Sequence, residues 1–308
     1  MRIHAASLYY FDTICRLGSI RAAARKLNVA SSAINRQILK LEEEVGAGLF
    51  ERVAEGVRLT AAGEMLARHV TVVLQDLDRV RSDISELTGA RRGHVTIAAA
   101  EGLFSSLLPA TVAKLRDAAP GITISAKLAP SLSIPKAIVS GEVDIGIGFD
   151  VPRDLEMHQT VAARFRLGAI MSPKHPLASR TTVTLARCVD YPIILAKPDT
   201  SIERLLTPAI NRLSKRVEPI VQSTSIEFMR ELAERGIGIA FQTKVSLERM
   251  LAERRLVHVP LNHRGAIRSE LGIFVRPRRN PSAPLKLVLS ILEAELKIRE
   301  KAEINRHS

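Results

Sequence analysis

The sequence is poor in the residues that would fix several common kinds of structure. Its 308 residues include two cysteines, no tryptophan and only 4% aromatic residues. Cys15 and Cys188 are far apart, so they provide neither a disulfide framework nor a zinc-binding spacing. We therefore expect a reducing compartment, the cytoplasm. The low aromatic content disfavours a stacking surface for single-stranded nucleic acid.

Long apolar runs are also missing. No stretch approaches the ~18 apolar residues of a membrane span, and Asp12 and Arg16 interrupt the N-terminal segment where a signal peptide would need an apolar core. No membrane association is therefore expected. The apolar fraction of 46% and the charged fraction of 25% are typical of globular chains. At about 100–200 residues per domain, the length corresponds to two or three domains.

Signatures of catalysis and of metal binding are missing as well. The sequence contains no Gly-x-Ser-x-Gly element, no P-loop and no complete dinucleotide fingerprint. His258 and His263 lie five residues apart, and no metal site is expected there. We therefore expect no catalytic residues, no metal and no cofactor.

Positive charge is in excess but is unevenly placed. The net charge of +13 favours a polyanionic partner such as nucleic acid or an anionic membrane surface, and the charge alone does not choose between them. Residues 1–60 hold nine Lys/Arg and six Asp/Glu, a net of +3, whereas residues 61–93 hold five of each, and the remaining +10 lies in 94–308. Evidence for nucleic-acid binding must therefore come from a local motif.

The first 60 residues predict three short helices and a hairpin. Gly18 ends the first helix, Ser19 is placed to cap the second, and Asn28 tolerates the left-handed conformation of a tight turn. Ser31 or Ser32 is expected to cap the third helix. Strand candidates at 49–53 and 57–60 flank a turn at 54–56, and Thr60 is placed to cap the helix that follows.

The second and third helices have the pattern of a helix-turn-helix, in which the second helix of the pair enters the DNA major groove. Ile34, Ile38 and Leu41 recur on one face of the third helix, so Ser32, Asn35, Arg36 and Lys40 point outward. Asn can pair with adenine, and Arg with guanine or a phosphate. The hairpin would be a wing that lays Arg52 and Arg58 along the DNA. A solvated helix face remains the alternative interpretation of the same residues.

Residues 61–88 predict a long helix with a heptad seam. The apolar positions of the seam are Leu66, Val70, Val73, Leu77, Val80, Ile84 and Leu87. The sustained 3.5-residue period favours self-association over a helix packed on its own domain. Residues 89–93 form a small basic hinge.

Residues 94–308 alternate between strands and helices. Strands are predicted at 94–100, 122–128, 143–149, 166–171, 193–196, 220–222, 237–241 and 271–275, and helices at 105–119, 135–140, 202–213, 226–234, 244–253 and 285–303. This alternation is typical of a parallel sheet covered on both faces.

Hydroxyl side chains cluster at four predicted strand ends. Ligands bind outside the carboxyl ends of parallel strands, where helix N-termini suit a small anion. The candidate effector residues are Ser105, Ser106, Ser131, Ser133, Thr200, Ser201 and Thr224. Each one can alternatively be an ordinary helix cap.

The stretch FDTICRLGSIRAAARKLNVASSAINRQILKLEEEVGAGLFERVAEGVRLTAAG resembles the winged helix-turn-helix of LysR-type transcriptional regulators, and weaker matches such as SGEVDIGIG and RGIGIAF follow in order. The resemblance implies a DNA-binding domain at 1–60, a dimerisation helix at 61–88, a hinge at 89–93 and an effector domain at 94–308. The effector domain is implied to be α/β and two-lobed like periplasmic binding proteins, with lobe I at 94–165 and 268–308 and lobe II at 166–267.

The resemblance also implies how the protein works. A small molecule in the cleft would alter DNA bending and transcription, and the chain would form a homodimer, with tetramers usual in the family and contact with RNA polymerase a further expectation. The residues that fall where the family contacts double-stranded DNA are Ser31, Ser32, Asn35, Arg36, Lys40, Arg52 and Arg58.

Some positions depart from the family pattern. Ser31-Ser32 stands where the family often has Gln-Pro, and Asn35 where it often has Ser, so the resemblance does not define base preference at these positions. Glu55 occupies a wing tip that is frequently basic, and Phe241-Gln242 stands where the family has an apolar residue followed by Pro.

Two other functions remain open from the residues alone. The chain would be a solute-binding sensor if residues 1–88 served only for oligomerisation. It would be an α/β enzyme if a catalytic arrangement formed in the fold.

Overall fold

The computed structural model describes residues 6–87, 92–198, 200–262, 265–277 and 281–304. Hinge residues 89–91, together with His263, Arg278 and Arg279, lie outside this described part of the chain. The protein divides into two compact units, Met1–Ile84 with Ser140–Glu142, and Ser85–Val139 with Val143–Ser308.

The first unit is a helical domain with a two-stranded ribbon. Its elements are α1 (Ala6–Leu17), α2 (Ile20–Leu27), α3 (Ser31–Val45), β1 (Phe50–Val53), β2 (Gly56–Leu59) and α4 (Ala61–Leu87). Local signals set the boundaries as predicted. Gly18 has φ +63°, the Ser19 Oγ accepts a hydrogen bond from the Ala22 N–H at 3.3 Å, and Asn28 is left-handed with φ 53°. The Thr60 Oγ1 accepts from the Gly63 N–H at 3.0 Å.

The start of α3 differs from the prediction. Ala30 is its N-cap and makes no side-chain cap bond. Ser31 and Ser32 are the first helical residues, both exposed, so neither caps the helix. Because their hydroxyls are not used as caps, both remain available to a partner.

One apolar core holds the first unit together. Phe11, Ile14, Ile34 and Leu49 are fully buried in it, and Ala23 and Ala24 let α2 approach its neighbours closely. The predicted apolar face of α3 (Ile34, Ile38, Leu41) is therefore the buried face, which leaves the opposite face to solvent.

The ribbon packs against the turn between α1 and α2. Val53 pairs with Gly56 across a turn of two residues, one residue shorter than predicted. The Val57 N–H donates to the Gly18 carbonyl at 2.9 Å. A Cβ on Gly56 would lie 2.3 Å from the same oxygen, so only glycine fits this contact.

The heptad seam of α4 divides between two environments. Leu66 and Val70 pack into the core of the first unit, which is the alternative that the sequence left open for this helix. Val80 and Ile84, by contrast, are 41% and 51% exposed, while Leu77 is buried. The side chain of Leu87 lies outside the described part of the chain. The C-terminal part of the seam therefore presents apolar surface that the isolated protomer leaves open.

The second unit is the α/β region. Its elements are β3 (Gly93–Ala99), α5 (Leu107–Ala118), β4 (Ile122–Leu128), α6 (Ile134–Val139), β5 (Ile145–Phe149), β6 (His158–Arg166), β7 (Gly168–Met171), α7 (Leu185–Cys188), β8 (Ile194–Ala196), α8 (Ser201–Ile210), β9 (Val221–Ser223), α9 (Ile226–Glu234), β10 (Ala240–Gln242), α10 (Glu248–Ala252), β11 (Val257–Pro260), β12 (Arg268–Val275) and α11 (Ala283–Ile304).

A five-stranded sheet in the order β4-β3-β5-β12-β6 builds the first lobe. β3 runs parallel to β4 and β5, but β12 is antiparallel to both β5 and β6, so the sheet is mixed rather than parallel throughout. Helices α5 and α11 cover one face around Ile97, Ile145 and Leu292. α6 covers the other face at Ala98 and Phe274.

The second lobe contains the strand ladders β10-β7-β11 and β8-β9. β7 pairs antiparallel with both of its neighbours, and β8 runs parallel to β9. The strands β6 and β11 and the short helix α7 were not predicted. No helix in the described ranges is long and apolar enough to cross a membrane.

Candidate nucleic-acid interface and ligand cleft

The outward face of α3 carries the predicted DNA contacts. Arg36 and Lys40 are exposed, and Asn35 is half-buried beside them. Lys40 pairs loosely with Glu44, with Nζ 3.9 Å from Oε1. The structure thus places Ser31, Ser32, Asn35, Arg36 and Lys40 along one accessible helix surface, with short polar side chains at its N-terminal end. Backbone N–H groups at such an end suit phosphate oxygens.

A basic groove beside this surface was missed by the sequence reasoning. It lies between α2 and the start of α3, and its lining includes Arg21, Arg25, Asn28 and Ser31. Arg21 and Arg25 are exposed, and their guanidinium groups have no partner among the described residues. The signal was present in the sequence, since arginines four residues apart lie on one helix face, here opposite the buried Ala23.

The two wing arginines differ in their surroundings. Arg58 is paired across the ribbon, with its Nε 2.7 Å from the Glu51 Oε1. Arg52 is exposed and has no ion-pair partner in the described ranges. Of the two predicted contacts, Arg52 is therefore the one whose charge is not offset by a carboxylate among the described residues.

The acidic run at the end of α3 turns away from the DNA-facing surface at its first residue. The Glu42 Oε1 accepts hydrogen bonds from the N–H groups of Leu49 and Phe50 at 2.7 and 3.3 Å. This carboxylate therefore anchors the base of the wing.

In the second unit, residues that follow the strands of the first lobe contact helices of the second lobe. Parallel strands β3, β4 and β5 end at one edge of the first lobe, and β8 and β9 end together in the second. Glu101, just after β3, bonds to the start of α9. The Arg204 Nη2, on α8, donates to the Asp150 carbonyl after β5 at 3.0 Å. These two contacts bring the strand ends of the two lobes together. In open α/β sheets, ligands bind outside the carboxyl ends of the strands, so this region is the candidate ligand site.

Most of the predicted effector hydroxyls carry structural bonds. Thr200 and Ser131 accept from the backbone of Glu203 at 3.2 Å and of Phe149 at 3.1 Å. Ser105 and Ser133 donate to the carbonyls of Gly102 and Pro130. Thr224 is exposed, and its neighbour Ser225 caps α9 instead. Ser201 is the first residue of α8 rather than its cap.

Ser106 differs from the other candidates. A 3₁₀ turn at Glu101–Ser105 delays α5 until Leu107, so Ser106 stands at the N-cap without making a cap bond. Its Oγ is buried and has no hydrogen-bond partner among the described residues. Buried hydroxyls are normally hydrogen-bonded, so among the predicted residues Ser106 is the strongest candidate to bind a ligand or a water molecule.

Two charged residues of the cleft were also missed. Glu101 follows the first strand directly, so its position could have been read from the strand boundary. Arg230 lies on α9 at 2% exposure, and no pattern in the sequence distinguishes it from a surface arginine of an amphipathic helix. Gln242, which departs from the family pattern, donates from Nε2 to the Ile226 carbonyl at 3.1 Å and so braces the start of α9.

Buried titratable groups in the second lobe are held neutral. Burial, with a smaller contribution from Asp190, raises the pKa of the Cys188 thiol to about 12. Burial, followed by the charge of Lys244, lowers the pKa of His258 to about 3. No group of three or more His, Cys, Asp or Glu side chains within the described ranges is arranged to hold a metal ion.

Comparison with known families gives two matches that together span most of the chain. Residues 6–64 match the bacterial regulatory helix-turn-helix protein, lysR family. Residues 88–297, more than half of the chain, match the LysR substrate binding domain. The first match favours DNA binding by the N-terminal region over a role in oligomerisation alone.

Individual relatives agree with these matches. The chain is 25% identical to the RuBisCO operon transcriptional regulator of Allochromatium vinosum over 257 residues, covering 83% of this chain and 85% of that protein. A full-length OxyR variant from Pseudomonas aeruginosa shares the fold with a TM-score of 0.72 at 18% identity, covering 97% and 96% of the two chains. LysG from Corynebacterium glutamicum with bound effector arginine has a TM-score of 0.65 at 18% identity, covering 96% and 99%. At these identities the two structures show the shared fold.

Proposed function

The chain belongs to the LysR family of DNA-binding transcriptional regulators, and from that premise we propose which of its residues bind DNA and what its cleft senses. The N-terminal region is a winged helix-turn-helix and the C-terminal region is an effector-binding domain. We assign residues 1–60 to DNA binding, 61–88 to dimerisation, and 94–308 to the two effector lobes. Because the proposed target is chromosomal DNA, we place the protein in the cytoplasm. We assign it no catalytic activity.

We propose that α3 is the recognition helix. This proposal rests on the two faces of α3. Ile34, Ile38 and Leu41 are buried on one face, so Asn35, Arg36 and Lys40 lie together on the outward face. Asn35 and Arg36 are assigned to base edges, Asn to adenine and Arg to guanine. Ser31, Ser32 and Lys40 are assigned to phosphates, as are Arg21 and Arg25 of the adjacent groove.

The wing adds contacts outside the major groove. Arg52 is the proposed phosphate contact of the ribbon, and Arg58 has a smaller part because Glu51 already neutralises it. Glu55 at the tip adds repulsion. The wing is thus expected to position the protein on the duplex rather than to provide most of the affinity.

The effector we propose is a small anion held between the lobes. Support comes from the N-terminus of α9, which already binds a carboxylate of this chain, from the N-terminus of α8, and from the Ser106 hydroxyl, which has no partner among the described residues. A homodimer through the exposed end of α4 is proposed, with a tetramer and RNA polymerase contact as further family-derived expectations.

A gel-shift assay on the DNA next to the gene tests the DNA-binding assignment. Arg36→Ala should weaken binding roughly 10- to 100-fold, because a bidentate base contact is worth about 1–3 kcal/mol. Arg212→Ala removes an equal charge from an exposed site in the second unit and serves as the matched control. Equal effects of the two changes would show that bulk charge, not α3, governs binding.

A further inference from the structure

A carboxylate from the first lobe holds the start of α9 in the second lobe. The Glu101 Oε1 accepts a hydrogen bond from the Ser225 Oγ at 2.8 Å, and its Oε2 accepts one from the Ile226 N–H at 2.6 Å. A helix N-terminus has partial positive charge and unpaired N–H groups, so it favours an anion. Glu101 therefore already fills the position at which an acidic ligand would bind α9.

A buried arginine on the same helix lacks a full set of partners. Arg230 is 2% exposed, and its Nη1 lies 3.0 Å from the Oε2 of the exposed Glu227. Its Nε and Nη2 are buried and have no hydrogen-bond partner among the described residues. A guanidinium buried with two N–H directions unsatisfied is strongly unfavourable, and an anion with two oxygens matches that fork.

Arg230 lies beside the backbone that follows Glu101. Gly102 follows Glu101 in the chain, and the Arg230 Nη2 lies 3.9 Å from the point where a Cβ on Gly102 would stand. The Ser246 Oγ lies nearer to that point, at 2.7 Å, so Gly102 leaves room for this hydroxyl and for the guanidinium. The Glu101 carboxylate is thus bound at the α9 N-terminus, and the Arg230 guanidinium lies beside the next residue of the chain.

We propose that Glu101 is a displaceable internal ligand of the cleft: a small carboxylate effector takes the α9 N-terminus at Ser225 and Ile226, and Glu101 moves onto the Nε and Nη2 of Arg230. This inference rests on the proposed effector function and names its regulation. The exchange replaces one anion by another at the start of α9, and it gives the Nε and Nη2 of Arg230 a hydrogen-bond partner. The new hydrogen bonds partly offset the free-energy cost of displacing Glu101. Because Glu101 belongs to the first lobe and Ser225 to the second, the same step changes the contact between the lobes.

The test is a thermal-shift titration of the full chain with sodium acetate, at constant ionic strength maintained with sodium chloride. Glu101→Ala removes the competitor, so acetate should bind on the order of tenfold more tightly than to the unchanged protein. Arg230→Gln removes the guanidinium that the displaced Glu101 carboxylate would bind, so acetate should bind several-fold more weakly. The double variant should bind acetate like Glu101→Ala, because Arg230 has no effect when there is no Glu101 carboxylate to displace.

Controls separate this from general effects. Asp117→Ala, an exposed carboxylate of the same lobe, should respond to acetate as the unchanged protein does. Glu101→Gln keeps the shape without the charge and should follow Glu101→Ala. If Arg230→Gln does not fold, Arg230→Lys retains a charge but lacks the fork, and it should still weaken acetate binding.

An acetate response in Glu101→Ala that equals that of the unchanged protein, or is absent, would overturn the proposal. Equal weakening by the Arg230 change with and without Glu101 would also overturn it. The readout does not involve DNA, so it is separable from the regulator assignment: failure of the gel shift would contradict DNA binding while leaving the exchange measurable.

Discussion

The Glu42 Oε1 lies 2.7 Å from the backbone nitrogen of Leu49, and this bond ties α3 to the base of the wing. The carboxylate lies near the C-terminus of α3 and also accepts from the Phe50 N–H. An acidic residue close to the proposed DNA-binding surface thus stabilises the fold, since its carboxylate is directed at backbone donors.

Glu42→Ala should weaken the attachment of the wing by about 2 kcal/mol, the usual scale for a hydrogen bond to a charged group. Hydrogen exchange of the Leu49 amide should accelerate, and DNA affinity should fall because the ribbon loses its position. Glu43→Ala, its exposed neighbour, is the matched control and should change neither. Unaltered Leu49 exchange in the Glu42 variant would show that the ribbon is held by other contacts.

Ile84→Lys should convert the protein to monomers in analytical sedimentation. Ile84 is 51% exposed in the protomer, so a lysine is tolerated there unless a partner helix covers the site. Leu77→Lys, at another seam position, should also give monomers. Because Leu77 is buried, this change should destabilise the protomer as well. Met65→Lys alters an exposed residue of α4 outside the seam and should remain dimeric, while a dimeric Ile84 variant would contradict the seam assignment.

His258 should make the second unit less stable in mild acid. Its folded pKa is about 3 and its unfolded pKa about 6.5, so below pH 6.5 the unfolded chain binds a proton that the folded chain excludes. The resulting loss between pH 7 and pH 5 is about 2 kcal/mol, and it continues to grow until pH approaches the folded value.

Urea unfolding of the full chain at the two pH values measures this loss. His258→Gln should remove most of the pH dependence while lowering stability overall, because the bond from Nε2 to the Gln242 carbonyl at 3.1 Å is altered. A pH dependence equal to that of the unchanged protein would assign the effect to other groups.

Cys188 should be unreactive in the folded protein. With the thiol pKa raised to about 12 by burial, only about one thiol in ten thousand is ionised at pH 8. Iodoacetamide labelling followed by mass spectrometry should show Cys188 unmodified in buffer and modified in urea. Rapid modification in buffer would instead indicate an accessible thiolate, the starting point of a redox role.

Local signals explain why the N-terminal region was predicted closely. Ser19, Asn28 and Thr60 act on backbone groups within three or four residues of themselves, so their effects can be read directly from the sequence. The prediction failed at Ser31 and Ser32, where the helix begins without a side-chain cap, and at Gly56, which belongs to β2 and leaves the turn one residue shorter than expected.

Non-local pairing explains the errors in the α/β region. β6 has many polar residues, and only Ala163 and Phe165 are fully buried in it. Its pairing partner is β12, about a hundred residues later in the chain. The same pairing makes the sheet mixed, because β12 returns antiparallel between β5 and β6. Neither fact follows from the periodicity of the strand itself.

The sequence by itself determined the family, the domain order and the face of α3 that turns outward, because these follow from long motifs and from the spacing of apolar residues. Only the tertiary structure decided which charges are free. It neutralised Arg58 with Glu51, left Arg52 open, directed Glu101 at the start of α9, and buried Arg230 with part of its fork unpaired. The reason is physical: a charge's effect depends on distance and on the water around it, and folding sets both.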